Sequence, residues 1–420
     1  MTPPDAATTR LSRAECLTLD AKDPLAARRA EFLLPPATIY LDGNSLGALP
    51  KATPTRLNEV AVAEWGGDLI KSWNKHGWID LPRRLGAKIA RLVGAAPGEV
   101  VVTDSTSVNL FKVLTAALRL APERRTILSQ NDNFPTDLYM AQGLIDLLGA
   151  GHRLRLVESD AIADAIDGDT AVVMLTEVNY RTGALHDMAT LSAAAHARGA
   201  VVLWDLAHSA GALPVDLAGV RADFAVGCGY KYMNGGPGAP AFVFVAERHQ
   251  ERVAQPLTGW LGHAEPFAFE PHYRPAPGIA RFLCGTPSIL ALTALETGVD
   301  GVLAAGTAAL RAKSTALTES FIRAVEQECT GLGLTLITPR DPERRGSQVS
   351  FRHRHAYAVM QALIARGVIG DFRAPDILRF GFAPLYLRFV DAWDAAAALR
   401  DVLASEAWDR PEFHIRATVT

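Results

Sequence analysis

The sequence predicts an α/β fold: a large domain on a mainly parallel sheet, followed by a smaller α+β unit at the C-terminal end. Three observations carry this. From about Glu99, short β-branched runs alternate with helical stretches, the rhythm of strands joined by crossover helices. The runs are continuously apolar rather than alternating, as in strands buried on both faces. Finally, 420 residues with 49% hydrophobic and 21% charged side chains suffice for a large core without disulfides or metals to staple it.

The first forty residues read as a helix around Leu25, Arg28 and Phe32 that stops at Pro35-Pro36. A short strand, TIYLD, then runs into the turn Gly43-Asn44-Ser45. From Pro50 to Val93 the pattern is helical, with Leu81, Leu85, Ile89, Leu92 and Val93 recurring at spacings of three and four. The strand candidates follow as EVVVT, TILSQ, RLRLV, AVVMLTEV, AVVLWD, DFAVGCG and AFVFV, with helices at SVNLFKVLTAAL, LYMAQGLIDLLG and LSAAAHARG. The Pro/Gly-rich stretch Glu270 to Gly278 reads as a long loop, and long loops in compact domains tend to be functional. Helical patterns span 287–327. Strands are then expected near LTLIT, SQVSFR, GVIGDF and ILRFG, with helices near AYAVMQALIAR and VDAWDAAAALRDVLA. The expected organisation is an N-terminal segment, 1–40, packed with the small domain; a large domain, 41–310; and a small C-terminal α+β domain, 311–420.

Lys+Arg total 42 against Asp+Glu 45, a net charge of −3 that argues against a nucleic-acid partner. Cys16, Cys228, Cys284 and Cys329 form no C-x-x-C pair, which fits a reducing compartment. No apolar run approaches the roughly 18 residues of a membrane span, and the opening residues lack the basic and apolar regions of a signal peptide. A cytoplasmic protein with no membrane or nucleic-acid partner is expected.

Chemistry concentrates in VVLWDLAHSAG and DFAVGCGYKYMNGGPGAP. Asp205 ends a buried strand, where a carboxylate is costly unless compensated, and His208 lies three residues on. Lys231 stands in the next strand-end turn among aromatic residues, a setting that makes an amine nucleophilic. Alone, Asp205 also reads as a helix cap, and Lys231 as a solvated surface lysine. Together, on consecutive strand ends, they point to pyridoxal phosphate. That cofactor forms a Schiff base with a lysine and needs an acid beside its ring nitrogen. Its phosphate needs oriented donors at a helix start, which Ser105, Thr106 and Ser107 supply in TDSTSVNLFKVL, although plain capping reads the same way. Phe134, in NFPTD with Asp137, is placed to stack on a pyridine ring or simply to pack in the core.

YLDGNSLG, NFPTD, the Asp205-x-x-His208-x-x-Gly211 run and GYKYMNGGPG closely resemble the kynureninase family, and the resemblance spans Tyr40 to Tyr386. It implies a pyridoxal-phosphate-dependent, fold type I hydrolase of the aminotransferase class V group. The large domain of such an enzyme carries a mainly parallel seven-stranded sheet. The implied activity is hydrolytic cleavage of L-kynurenine, with 3-hydroxykynurenine as a second candidate substrate, within tryptophan degradation. It also implies roles: Lys231 bonded to the cofactor, Asp205 at the pyridine nitrogen with Asp137 nearby, Phe134 on the ring, and His208 in the hydrogen-bond network. Thr106, Ser107 and Tyr230 would hold the phosphate, with Tyr230 also a proton relay. Trp260 and Thr286 would arrive from the neighbouring subunit of a homodimer. Arg379 would bind the substrate carboxylate, with Ser45 near the substrate. Thr286 stands where animal members, which favour the 3-hydroxylated substrate, carry Asn; this pattern resembles the bacterial branch, which leans toward kynurenine itself.

The alternatives are a cysteine desulfurase or class V aminotransferase of the same fold, or a protein that kept the fold and lost catalysis. A desulfurase needs a mobile cysteine and usually carries His where this chain has Tyr230. The H-x-H at His353 and His355 lacks a nearby third ligand and reads as a basic strand edge. No G-x-G-x-x-G or Walker pattern is present.

Overall fold

Seven short strands form the central sheet of the computed structural model, which describes residues 10–417. They are β1 (Val100–Val102), β2 (Thr126–Gln130), β3 (Arg153–Val157), β4 (Thr170–Thr176), β5 (Val201–Asp205), β6 (Phe224–Gly227) and β7 (Phe242–Val245). Their spatial order is β1-β7-β6-β5-β4-β2-β3. Strands β3, β2, β4, β5 and β6 pair in parallel, and β7 runs antiparallel to both of its neighbours. The mainly parallel expectation holds, with one reversed strand.

The apolar runs lack alternation because both faces are covered. Val100 and Val102 enter one core with Leu128, Val173 and Trp204, whereas Val101 enters a second with Ile127, Val172 and Leu203. At the edge, β3 is only partly buried and carries Arg153 and Arg155, charges that discourage further pairing there.

The longer α-helices are α1 (Arg13–Lys22), α2 (Ala52–Glu59), α3 (Leu81–Leu92), α4 (Thr106–Leu120), α5 (Pro135–Leu148), α6 (Met188–Ala197), α7 (Ile289–Ala305), α8 (Thr307–Glu328), α9 (Ala356–Ile364) and α10 (Phe389–Ala404). The first differs from expectation. It lies at 13–22, opened by a capping box between Ser12 and Glu15, while Ala26–Glu31 is a 3₁₀ turn. Side-chain capping outweighed the apolar spacing of Leu25, Arg28 and Phe32. Residues 1–9, the start of the expected N-terminal segment, lie outside the described residues.

A four-stranded antiparallel sheet, order β8-β9-β11-β10, contains β8 (Thr335–Leu336), β9 (Gln348–Arg352), β10 (Asp371–Arg373) and β11 (Ile377–Gly381). The GVIGDF run is divided: Val368–Ile369 pairs in parallel with Ile39–Tyr40, and only the remainder joins this sheet. Nearby, the Asp20 carboxylate accepts the Phe389 and Val390 N–H groups at 2.6 and 3.1 Å. A negative charge there suits the first turn of α10. These ties bring the Asp42–Gly47 turn against β11, where Asp42 bridges Gly381. No single described helix is long and apolar enough to cross a membrane.

Candidate active site

Asp205 closes β5 and pairs in register with Val226 of β6, so Lys231, four residues beyond β6, emerges at the adjacent strand end. The lysine sits in a tight turn: the Asn234 N–H donates to the Lys231 carbonyl and the Gly235 N–H to the Gly229 carbonyl, both at 2.9 Å. Gly47 backs this turn by donating to the Tyr230 carbonyl at 2.8 Å. A Cβ at Gly47 would collide with the Lys231 carbonyl and with Asn234, which explains the glycine in GNSLG.

Among the described residues, three lysines are buried: Lys112, Lys231 and Lys313. Lys112 pairs with Asp104 at 2.5 Å and donates to the Phe282 carbonyl, and Lys313 pairs with Asp23 at 2.6 Å. Lys231, unlike these two, has no carboxylate within ion-pair distance among the described residues. Its Nζ lies 3.0 Å from His208 Nε2, between the rings of Phe134 and Tyr230 at 5.9 and 5.8 Å from their centroids. Burial, reinforced by Lys231, holds His208 well below the usual histidine range, so the ring is neutral and its Nε2 is able to accept a hydrogen from the Lys231 amine. His208 Nδ1 is buried with no partner.

Asp205 and Asp137 are both buried beside this amine. Burial and the charge of Asp205 push Asp137 well above the carboxylate range, and its Oδ2 has no partner. Burial also raises Asp205, but Lys231 and the Ala207 N–H, which donates to it at 2.7 Å, pull it back. Of the two, Asp137 is pushed further toward its neutral form, and Asp205 is the one the amine draws toward its charged form. Phe134 caps α5 and meets Tyr180 edge-on at 5.2 Å. It is placed by Asn133, whose Oδ1 accepts the Thr176 hydroxyl at 2.7 Å and ties the loop to the end of β4.

A cavity of about 370 Å³ lies beside Tyr230, bordered by Ser105, Thr106, Gly238, Pro240 and Thr286. It opens at the start of α4, where Ser105 caps the helix by accepting the Val108 N–H. Hydroxyls and free N–H groups at a helix start suit a phosphate. Thr286 borders this cavity from the same chain, and Trp260, packed on Phe267, does not.

These groups fit pyridoxal phosphate. A buried amine without a carboxylate partner, a buried carboxyl pair, an aromatic face and an anion cradle occur together, and buried polar atoms of Asp137 and His208 have no partner in the protein.

Arg379 is buried in β11, opposite Asp371 of β10. Its Nε donates to Asp371 Oδ1 at 2.8 Å and its Nη2 to Oδ2, closing a two-pronged pair. Nη2 also donates to Ser45 Oγ at 2.8 Å, and Nη1 to the Tyr180 carbonyl at 2.7 Å. Arg373 Nη2 donates to Asp371 Oδ2 at 2.7 Å, and its Nε is buried without a partner. Burial opposes ionisation of Asp371, but Arg379, Arg373 and Ser45 hold it below the carboxylate range. Asp42 is the opposite case: burial and Asp371 push it up to about 7. Sequence reasoning placed Ser45 and Arg379 here and missed Asp371, Arg373 and Asp42, whose roles depend on strand register. The H-x-H is not part of this site; His355 stacks on Trp408 at 4.1 Å.

Fold and site together define a pyridoxal-phosphate-dependent enzyme of fold type I. Among solved structures, a cysteine desulfurase from Thermococcus onnurineus NA1 superposes with a TM-score of 0.77 at 20% identity, covering 90% of this chain and 98% of that one. C-DES, solved with glycine covalently linked to its PLP cofactor, superposes at 0.76 and 19% identity over 89% and 99%. Residues 310–399 match the kynureninase C-terminal domain family. The chain is 58% identical to the kynureninase of Burkholderia pseudomallei (strain 1106a), over 97% of this chain and 100% of that protein. Identity to the Pseudomonas fluorescens kynureninase is 56% with the same coverage. The chain belongs to the kynureninase family.

Proposed function

We propose that the protein hydrolyses L-kynurenine between Cβ and Cγ, adding one water to give anthranilate and L-alanine, a step of tryptophan degradation. The observation that carries the reading is Lys231, buried without a carboxylate partner and 3.0 Å from neutral His208.

When bound, pyridoxal phosphate supplies the electron sink for the carbanions that form beside the amine carbon of the substrate. Lys231 is the group placed to bond to it covalently and, once released, to take the proton from Cα. His208 accepts a hydrogen bond from the amine and fixes its direction. Asp205 keeps a proton on the ring nitrogen, and protonated Asp137 buttresses that carboxylate. Phe134 supports the ring face. Thr106 and Ser107, at the start of α4, hold the phosphate with Tyr230, whose hydroxyl burial keeps protonated and able to donate. Arg379 and Ser45 orient the substrate carboxylate.

The working form in this reading is a homodimer, with Trp260 of each chain serving the other chain's site, whereas Thr286, expected to cross with it, already borders the cavity of its own chain. Its support is an apolar face unusual for a free surface, with Val62, Trp65, Leu69 and Ile70 exposed. The four cysteines, all free, favour a reducing, cytoplasmic location.

Mixing the protein with pyridoxal phosphate and kynurenine tests the activity: anthranilate fluorescence is expected, and its absence refutes the reading. Sulfide release from cysteine would support a desulfurase instead. No cysteine suits that role, because Cys16, Cys228 and Cys329 are buried and Cys284 is half-buried.

A further inference from the structure

We propose that Asp371 is a positioning residue for the substrate carboxylate: it fixes which edge of the Arg379 guanidinium is presented to the substrate. This rests on the reading of the site as one that takes kynurenine.

A guanidinium has five N–H donors in a rigid plane. In Arg379 the Nε and Nη2 edge is closed by Asp371, a second Nη2 hydrogen goes to Ser45 Oγ, and one Nη1 hydrogen goes to the Tyr180 carbonyl. Four donors are occupied, and one on Nη1 remains. The side edge is therefore unavailable to a ligand, and an incoming carboxylate is confined to the Nη1/Nη2 end. The acceptor it meets there is the Ser45 hydroxyl, a neutral group that also donates to Asp371 Oδ2 at 2.8 Å. Substrate thus displaces a hydroxyl from Arg379, which costs far less than displacing a buried carboxylate. Ser45 keeps Asp371 as its partner when it yields.

The charge balance agrees. Arg379 and Arg373 flank the one carboxylate Asp371, leaving one positive charge for one substrate carboxylate, and burial with Asp371 pushes Asp42 up to about 7, which weakens its claim on that charge. The cross-strand position of Asp371 in β10 makes the arrangement rigid before substrate arrives, the condition for low-cost binding.

The test uses the holoenzyme. Asp371→Asn keeps the shape but turns an amide N–H toward a guanidinium N–H, so Arg379 loses its fixed edge. KM for kynurenine should rise about 10- to 100-fold with kcat kept within about threefold. The affinity for L-alanine, read by spectral titration, should fall in proportion, and cofactor content should stay unchanged. Inhibition by the decarboxylated amine analogue of kynurenine should not change. In an Arg379→Lys background the same substitution should add no further effect on KM. An unchanged or lowered KM, or a fall in kcat alone, overturns the proposal. If Asp371→Asn does not fold, Asp371→Glu keeps the charge but displaces the carboxylate, and an unchanged KM in that variant is equally fatal. Failure of the unaltered enzyme to release anthranilate sinks the functional reading instead, so the two failures are separable.

Discussion

Asp371 and Arg379 stand directly opposite each other on β10 and β11, and their side chains close a two-pronged ion pair almost sealed from solvent. The arginine that the sequence marks for the substrate is therefore already held by a carboxylate of its own chain. Its remaining donors meet Ser45 and Tyr180, elements brought in from the large sheet and the N-terminal turn. In the proposed reading, substrate recognition depends on the meeting of these three chain segments.

Replacing Arg379 by Lys keeps the charge and removes the planar fork. Loss of charge-assisted hydrogen bonds of this kind should cost about 1.5–3 kcal/mol, or about one to two decades in kcat/KM. The loss should appear mainly in KM, measured by steady-state anthranilate release, with bound cofactor unchanged. Unaltered saturation by kynurenine would remove Arg379 from the substrate site.

The two buried aspartates should behave very differently despite their proximity. Asp205→Asn removes the charge that holds a proton on the ring nitrogen, and kcat should fall by roughly 10²–10³. Asp137 is already neutral, because burial and Asp205 keep it protonated. Asp137→Asn exchanges one neutral group for another, and its kcat should stay within about tenfold of the parent. Equal losses in the two variants would contradict the assignment of the proton.

Glu177 supplies a pH signature separate from the chemistry. Burial pushes this carboxyl up to about 7, against weaker opposition from Ser209 and Arg311, and its Oε2 has no hydrogen-bond partner. Its folded value lies above its unfolded one, so the protonated form favours the fold. That contribution is complete below about pH 4.5 and is lost as pH rises through about 7. The loss is up to about 3 kcal/mol for a shift of this size. Glu177→Gln should therefore gain stability over the parent between pH 5 and about 8, as read by thermal or urea melts at several pH values. Parallel pH profiles for the two proteins would exclude the effect.

Much of this was visible in the residues before any coordinates. The interior apolar runs announced the sheet because burial on both faces removes alternation, while the edge run RLRLV alternates and is only partly buried; Asp205 and Lys231 fell at the ends of adjacent strands as their spacing suggested. Asp371 and Arg373 were not visible, since DFR carries no motif and its partner is eight residues away across a turn. The signal was opposite charge at positions that an antiparallel register brings face to face, Asp371 with Arg379. The split of GVIGDF was hidden for a related reason. Gly370 passes so close to the Arg379 carbonyl and Phe380 that a side chain does not fit, and the chain changes sheets there. The first helix was misplaced although its signal is in the residues: Ser12 and Glu15 spell a capping box, a start signal stronger than the spacing of Leu25, Arg28 and Phe32 on which the expectation rested.

Borohydride reduction of the holoenzyme, followed by peptide mapping, tests most directly whether one unpaired buried amine organises this site. The pyridoxyl label should appear on Lys231 and on no other lysine. A label on Lys112 or Lys313, or a protein that turns over kynurenine without any reducible adduct, would contradict it.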